Sequence, residues 1–268
     1  MESARQGQGW GSLLVGIDER GLSDDAAHAA ARMARILGTE FELAHGVQVP
    51  PVLWLGIDRE ELSRMHAATV DAVRTDLTEH LAGCERRFEL RPGELTGRLR
   101  VYAESSGRLL ADRARELGAA VVFLGRHRRA GLLDFGNTAR AVLQQVPCGV
   151  WVQPGPYAPI ETILVPIDLS DKSLAALESA RGLAARLGAR VEVAYVYAPP
   201  EAVYGQRVAA TVGWPKASVD AMRDRARSEL DRAADEHGIE HRHRLEGRPA
   251  EEILRLSADH DLVVMGTQ

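Results

Sequence analysis

Cysteine is nearly absent from this chain. Cys84 and Cys148 are the only two in 268 residues, far apart and in no CxxC pair, which argues against a disulfide framework or a structural zinc site and fits a reducing cytoplasm. Lysine also occurs only twice, at Lys172 and Lys216, and neither follows a late strand. The acidic group Asp18, Glu19, Asp24 and Asp25 therefore lacks the lysine that a phosphorylated receiver domain needs, and reads as a solvated helix start. Basic charge is not in surplus: 33 Lys and Arg face 38 Asp and Glu, for a net charge of -5 and a pI near 6.0, so no broad basic face for nucleic acid is implied. No apolar run approaches the roughly 20 residues of a membrane helix, and the opening MESARQGQGW has no apolar signal core; the expectation is a cytosolic protein without membrane contact. Three motifs are missing as well: a Walker loop, a dinucleotide fingerprint after the first strand, and a G-x-S-x-G elbow around Ser105-Ser106-Gly107, which reads instead as a helix start.

What is present is a repeat. LLVGID at 13–18 returns as ILVPID at 163–168, and LGTEFELAHGV at 37–47 returns as LGARVEVAYVY at 187–197, both at the same offset. Each copy then reaches a proline pair, Pro50-Pro51 or Pro199-Pro200, and ends on an apolar run, AVVFLG at 120–125 or DLVVMG at 261–266. Between the copies QPGPYAP at 153–159 suits neither helix nor strand and reads as a linker. Two domains follow, 1–153 and 160–268.

Short Val/Ile/Leu runs alternating with longer helical patterns predict βαβ units and a parallel sheet covered on both faces. In the first half the strands fall near 12–17, 40–46, 98–103, 120–124 and 148–152. Helices are predicted from Asp24 to Leu37 with a stop at Gly38, from Arg59 to Leu81, and from Gly107 to Leu117. In the second half they start after the N-cap Ser170 and stop at Gly188, then span Ala217–His237 and Pro249–Ala258. Right-handed crossovers give a doubly wound α/β sheet in each half.

The stretches VPIDLSDKSLAALESARGLAARLGARVEVAYVY, EGRPAEEIL and DLVVMGTQ closely resemble a universal stress protein domain, and the first half is similar to a more diverged copy. The resemblance covers nearly the whole chain. It implies a tandem pair of flavodoxin-like or Rossmann-like parallel-sheet domains, similar to adenine nucleotide alpha hydrolases. Many members bind ATP and others do not. Compared with residues 126–152, the second copy stops short of its last helix and fifth strand, so an incomplete second domain is expected, while the first keeps a fifth strand available for tandem pairing or homodimerisation.

Ligands of open α/β sheets bind at the carboxyl ends of the strands, where strand order reverses. Those ends carry Gly16, Ile17, Asp18, Gly46, Gly125, Arg126 and His127 in the first half, and Pro166, Ile167, Asp168, Val196, Met265 and Gly266 in the second. By resemblance, Asp18 or Asp168 and the backbone at Gly46 or Val196 meet adenosine, and a G-x2-G-x9-G-[ST] loop after the fourth strand holds phosphates. The first half offers GRHRRAGLLDFGNTAR at 125–140 for that loop. Gly125 matches, but Arg128 replaces the second glycine, Gly136 comes early and Asn137 stands for the hydroxyl residue. Two readings stay open: a phosphate site aided by Arg126, Arg128 and Arg129, or a solvated basic loop before a helix capped by Asn137.

The functional expectation is a binding module that senses adenine nucleotide, ATP being the candidate ligand, and engages a protein partner. The alternatives are a slow ATP hydrolase on the same fold and an interaction protein that has lost nucleotide. No catalytic group stands out. His241 and His243 share a strand face as metal ligands do, but without a nearby Cys or carboxylate set an exposed strand face is the better account, and no metal is expected. Trp54, Leu55 and Ile57, with Val203, Tyr204 and Trp214 in the second copy, are read as apolar loops that act as lids or pack between domains.

Overall fold

The computed structural model describes residues 10–48, 59–126 and 137–267, and divides the chain into two compact units, Met1–Tyr157 and Ala158–Gln268. The first unit runs β1 (Leu13–Gly16), α1 (Asp24–Leu37), β2 (Phe41–Gly46), α2 (Arg59–Arg87), a single 3-10 turn (Thr96–Arg98), β3 (Leu99–Tyr102), α3 (Ser106–Leu117), β4 (Val121–Leu124), α4 (Asn137–Gln145) and β5 (Gly149–Val152). The second runs β6 (Thr162–Pro166), α5 (Asp171–Leu187), β7 (Arg190–Tyr197), α6 (Pro200–Tyr204), α7 (Gln206–Val212), α8 (Lys216–Glu236), β8 (His241–Glu246), α9 (Pro249–Ser257) and β9 (Leu262–Val263). All strand pairs are parallel, in the orders β3-β2-β1-β4-β5 and β8-β7-β6-β9. Of the doubly wound arrangements this is the Rossmann-like one. Strand order reverses between β1 and β4, and between β6 and β9.

The inner strands read as continuous apolar runs because both faces are covered. Leu13, Leu14 and Val15 on β1, and Ile163, Leu164 and Val165 on β6, are all fully buried. Each such side chain contributes about 1.5–3 kcal/mol of burial. On one face Leu14, Ala44 and Val122 meet Leu110 and Ala114 of α3 and Val142 of α4. α1 contributes a row of buried alanines, Ala26, Ala27, Ala29, Ala30 and Ala31, whose small side chains let its axis lie close to the sheet.

Glycine terminates α1 and α5 as the sequence implies, and α3 ends the same way. Gly38, Gly118 and Gly188 each follow a helix in the left-handed conformation, and the N–H of each turns back to a carbonyl of the last turn. α2 runs on to Arg87 rather than stopping at Leu81, because Leu81, Cys84 and Glu85 keep a buried face beyond that point. β9 is only two residues long, shorter than the apolar run that encodes it, and among the described residues pairs with β6 alone. The segment after Pro199-Pro200 is helical, not a loop, with Pro200 in the first turn of α6. Val203 and Tyr204 on α6 are 57% exposed, and Trp214 just after α7 is 38% exposed. Trp54, Leu55 and Ile57 lie outside the described residues.

The first part of the linker is tied to the first unit. Gln153 N–H donates to Leu124 O at 2.8 Å, and Tyr157 stands edge-on to His28, which stacks on Phe88 at 4.3 Å. Among the described residues no helix is long and apolar enough to cross a membrane.

Candidate functional site at the strand ends

The exits of β1 and β6 carry an aspartate at the matching place, and in both its N–H donates to a serine hydroxyl five residues on. Asp18 Oδ1 accepts the Ser23 N–H at 2.9 Å and the Ser23 hydroxyl at 2.7 Å, while Ser23 Oγ accepts the Asp18 N–H at 2.9 Å. Oδ2 accepts the Arg20 N–H at 3.1 Å. Both carboxylate oxygens of Asp18 are thus engaged within its own loop.

The counterpart is organised but more open. Asp168 Oδ1 accepts the Ser170 hydroxyl at 2.6 Å and its N–H at 3.0 Å, and the Asp168 N–H donates to Ser173 Oγ at 3.3 Å. The Ser170 hydroxyl and N–H hold the Asp168 carboxyl below the usual carboxylate range, so it is ionised at neutral pH. Asp168 is exposed, and both of its bonds from Ser170 fall on Oδ1. Leu169, next in sequence, has φ +66°, a left-handed conformation that is uncommon for a residue with a side chain. Ser170 caps α5 by accepting the Ser173 N–H at 3.3 Å.

The second strand distinguishes the two crevices. His45 is buried, and its Nδ1 donates to Ile17 O at 2.7 Å, which ties β2 to the exit of β1. Its Nε2 lies 3.2 Å from Glu19 Oε1, within ion-pair distance but without hydrogen-bond alignment. Tyr195 holds that place in the second unit, followed by Val196 on β7.

Glycines at the strand ends give backbone room to the chain itself. A Cβ on Gly125 would lie 2.2 Å from Leu22 O and 2.6 Å from Ser23 Cα; one on Gly266 would lie 2.7 Å from the Lys172 carbonyl; one on Gly46 would lie 2.5 Å from Glu104 O. One on Gly16 would meet Leu110 Cδ1 at 2.9 Å. Arg126 N–H donates to Leu22 O at 3.2 Å. The bare face of Gly125 is therefore turned to the start of α1, a packing reason for that glycine which the sequence reading did not supply.

Of the other predicted positions, Pro166 ends β6, Ile167 is buried behind it, and Met265 is exposed after β9. Asn137 is the first residue of α4, and its side chain is not described; His127, Arg128, Arg129 and Gly136 lie outside the described residues. A hollow lined by Tyr195, Tyr197, Arg223 and Leu230 sits between α8 and strands β7 and β8, on the sheet face instead of at the exit of β6.

Sequence reading missed two groups. Ser23 and Ser173, which orient Asp18 and Asp168, were detectable as a serine at the same place in both copies. The other is a cluster at the opposite end of the second sheet. His243 Nε2 lies 2.7 Å and His260 Nε2 3.2 Å from Glu192 Oε2, and Arg190 Nε donates to Glu192 Oε1 at 2.8 Å. This corrects the expectation that no carboxylate stands beside His243. Burial alone would raise the Glu192 pKa, but hydrogen bonds from His243, Arg190 and His260 outweigh it and bring the value to about 2. In the first unit, Asp24 Oδ1 meets His80 Nε2 at 2.7 Å, and Cys84 Sγ lies 3.6 Å from the same nitrogen. Burial and the Asp24 carboxylate push the Cys84 thiol up to about 12, so it is no nucleophile at neutral pH.

Two doubly wound parallel sheets, each with an oriented aspartate where strand order reverses, define a two-domain α/β protein. Its sequence matches the universal stress protein family model twice, over residues 9–154 and 159–268, and the chain belongs to that family. Solved structures agree on the fold. A universal stress protein from Archaeoglobus fulgidus DSM 4304 is 14% identical with a TM-score of 0.60, over 95% of this chain and 86% of that one. A putative universal stress protein from Pseudomonas aeruginosa UCBPP-PA14 is 17% identical with a TM-score of 0.54, over 96% and 82% respectively. A functionally unknown protein from Pseudomonas aeruginosa PAO1 is also 17% identical, with a TM-score of 0.55 over 96% and 82%. A search among curated proteins finds no match.

Proposed function

We propose that the chain is a universal stress protein that binds an adenine nucleotide, ATP included, at the carboxyl ends of its strands, and that the second unit holds the adenosine at Asp168. The observation that carries this reading is the Asp168 carboxylate. It is ionised, fixed through Oδ1 by Ser170, and exposed, so that it can accept from a ribose hydroxyl or an adenine amino group. Val196 and Gly266 lie at the neighbouring strand ends. Asp18, Gly46 and Gly125 occupy the matching places in the first unit, but Asp18 spends both oxygens on its own loop, so that crevice is the weaker binder.

The role is binding rather than catalysis. The buried Cys84 stays protonated, and the nucleotide-bound state is read by a protein partner. The two free cysteines suit the reducing cytosol. Titration calorimetry with ATP and with AMP tests the site. Asp168→Ala loses charge-assisted hydrogen bonds worth about 1.5–3 kcal/mol, so affinity falls by roughly 10- to 100-fold. Equal affinities for the native chain and Asp168→Ala would remove the adenosine from this crevice.

A further inference from the structure

We propose that the second unit carries a zinc site made of Glu192 on β7, His243 on β8 and His260 between α9 and β9, at the amino-terminal end of the sheet, away from Asp168. The ligand atoms of these three residues lie within 4.8 Å of one another. Glu192 Oε2 is the common point, 2.7 Å from His243 Nε2 and 3.2 Å from His260 Nε2. Two imidazole nitrogens and one carboxylate form a donor set suited to Zn²⁺, with a fourth position left for water.

Three features make this a built site. First, the His260 Nδ1–H donates to Leu256 O at 2.9 Å, the outer-shell bond that fixes a metal-binding imidazole with Nε2 facing inward. Second, Arg190 occupies Glu192 Oε1 and leaves Oε2 free to face the histidines. Third, burial is graded: the side chains of His260 and Glu192 are 4% and 10% exposed, while His243 is 30% exposed and provides the way in.

The repeat supplies an internal comparison. Glu42 on β2 corresponds to Glu192, and there the carboxylate is closed by a two-pronged pair with Arg113, at 2.7 Å to each oxygen, plus the Tyr102 hydroxyl at 3.3 Å. A guanidinium keeps its protons and cannot ligate a metal. In the second unit two imidazoles stand on that carboxylate in place of the guanidinium, and an imidazole nitrogen, unlike a guanidinium, is a metal ligand. Asp261 lies beside His260 and adds negative charge nearby.

The Asp24, His80 and Cys84 group of the first unit is the natural control. There Arg87 already lies 3.5 Å from Asp24, and the thiol stays protonated. The test is calorimetric titration of the EDTA-treated full chain with ZnCl₂, with Co²⁺ absorption as the spectroscopic check. The native chain binds one zinc per chain at micromolar or lower concentration, and Co²⁺ gives the visible bands of a low-coordinate nitrogen and oxygen site. His243→Asn, a partly exposed position that the fold tolerates, weakens zinc at least about 100-fold and abolishes those bands, while His80→Asn leaves both unchanged. The proposal is overturned if the native chain takes up no zinc in that range, if His243→Asn binds like the native chain, or if only His80→Asn loses the ion.

Discussion

Glu85→Ala should destabilise the first unit by about 3 kcal/mol and lower its melting temperature by roughly 10 °C. The carboxylate of Glu85 is 5% exposed at the end of α2 and gathers the loop that leads to β3. Oε1 accepts the Leu95 N–H at 2.7 Å, the Thr96 N–H at 2.9 Å and the Thr96 hydroxyl at 3.2 Å, and Oε2 accepts the Gly93 N–H at 3.1 Å. Alanine leaves those donors without their acceptor inside a turn that positions β3. Burial alone would raise the Glu85 pKa, but the Thr96, Leu95 and Gly93 N–H groups outweigh it, and the net shift is downward from 4.5.

The sign of the pH effect follows from that shift. A carboxyl with a depressed folded pKa contributes stability that is fully present above its unfolded value near 4.5 and is lost as pH falls through the folded value. Urea titrations of the native chain and Glu85→Gln should therefore differ most above about pH 5 and converge below pH 4.5. A gap between them that does not change with pH would contradict the ionised, loop-gathering role.

Gly125→Ala is the second large effect. Its new Cβ would sit 2.2 Å from Leu22 O and 2.6 Å from Ser23 Cα, and both obstacles are backbone, so no side chain can rotate away. Relief requires the exit of β4 to leave the start of α1, which breaks the Arg126 N–H to Leu22 O bond and disturbs the Asp18–Ser23 ring. Overpacking of this kind costs about 3 kcal/mol or more. Gly182→Ala supplies the contrast: it lies inside α5 with nothing within 4 Å of a new Cβ, so it should stabilise by about 0.5–1 kcal/mol. Denaturant melts that rank the two substitutions the other way would refute the packing explanation.

The doubly wound parallel architecture and most element limits were legible because they depend on local signals, whereas the order of strands within each sheet is set by long-range pairing. Apolar runs fixed the strands, and Gly38, Gly118 and Gly188 ended helices where their left-handed φ is needed. The aspartates at 18 and 168 were legible through repetition. What the sequence hid depends on contacts across long separations. Glu192 meets His243 and His260 only because β7 pairs with β8 and α9 returns the chain to β9; nothing in their spacing brings them together. Helix α2 passes Leu81 because Cys84 and Glu85 find buried partners there, and α6 forms because Pro200 suits a first helical turn as well as it suits a loop. Gly125 was visible only as the first glycine of a phosphate-loop pattern; its packing partner, the Leu22–Ser23 backbone, is a tertiary neighbour.

Nucleotide binding at the strand ends of the second unit is tested most directly by following backbone amides of the isotope-labelled native chain as ATP is added. The expected result is a saturable set of shifts centred on Asp168, Val196 and Gly266, with smaller ones at Asp18 and Gly46. Shifts confined to residues distant from the ends of β6, β7 and β9, or none at millimolar ATP, would contradict it.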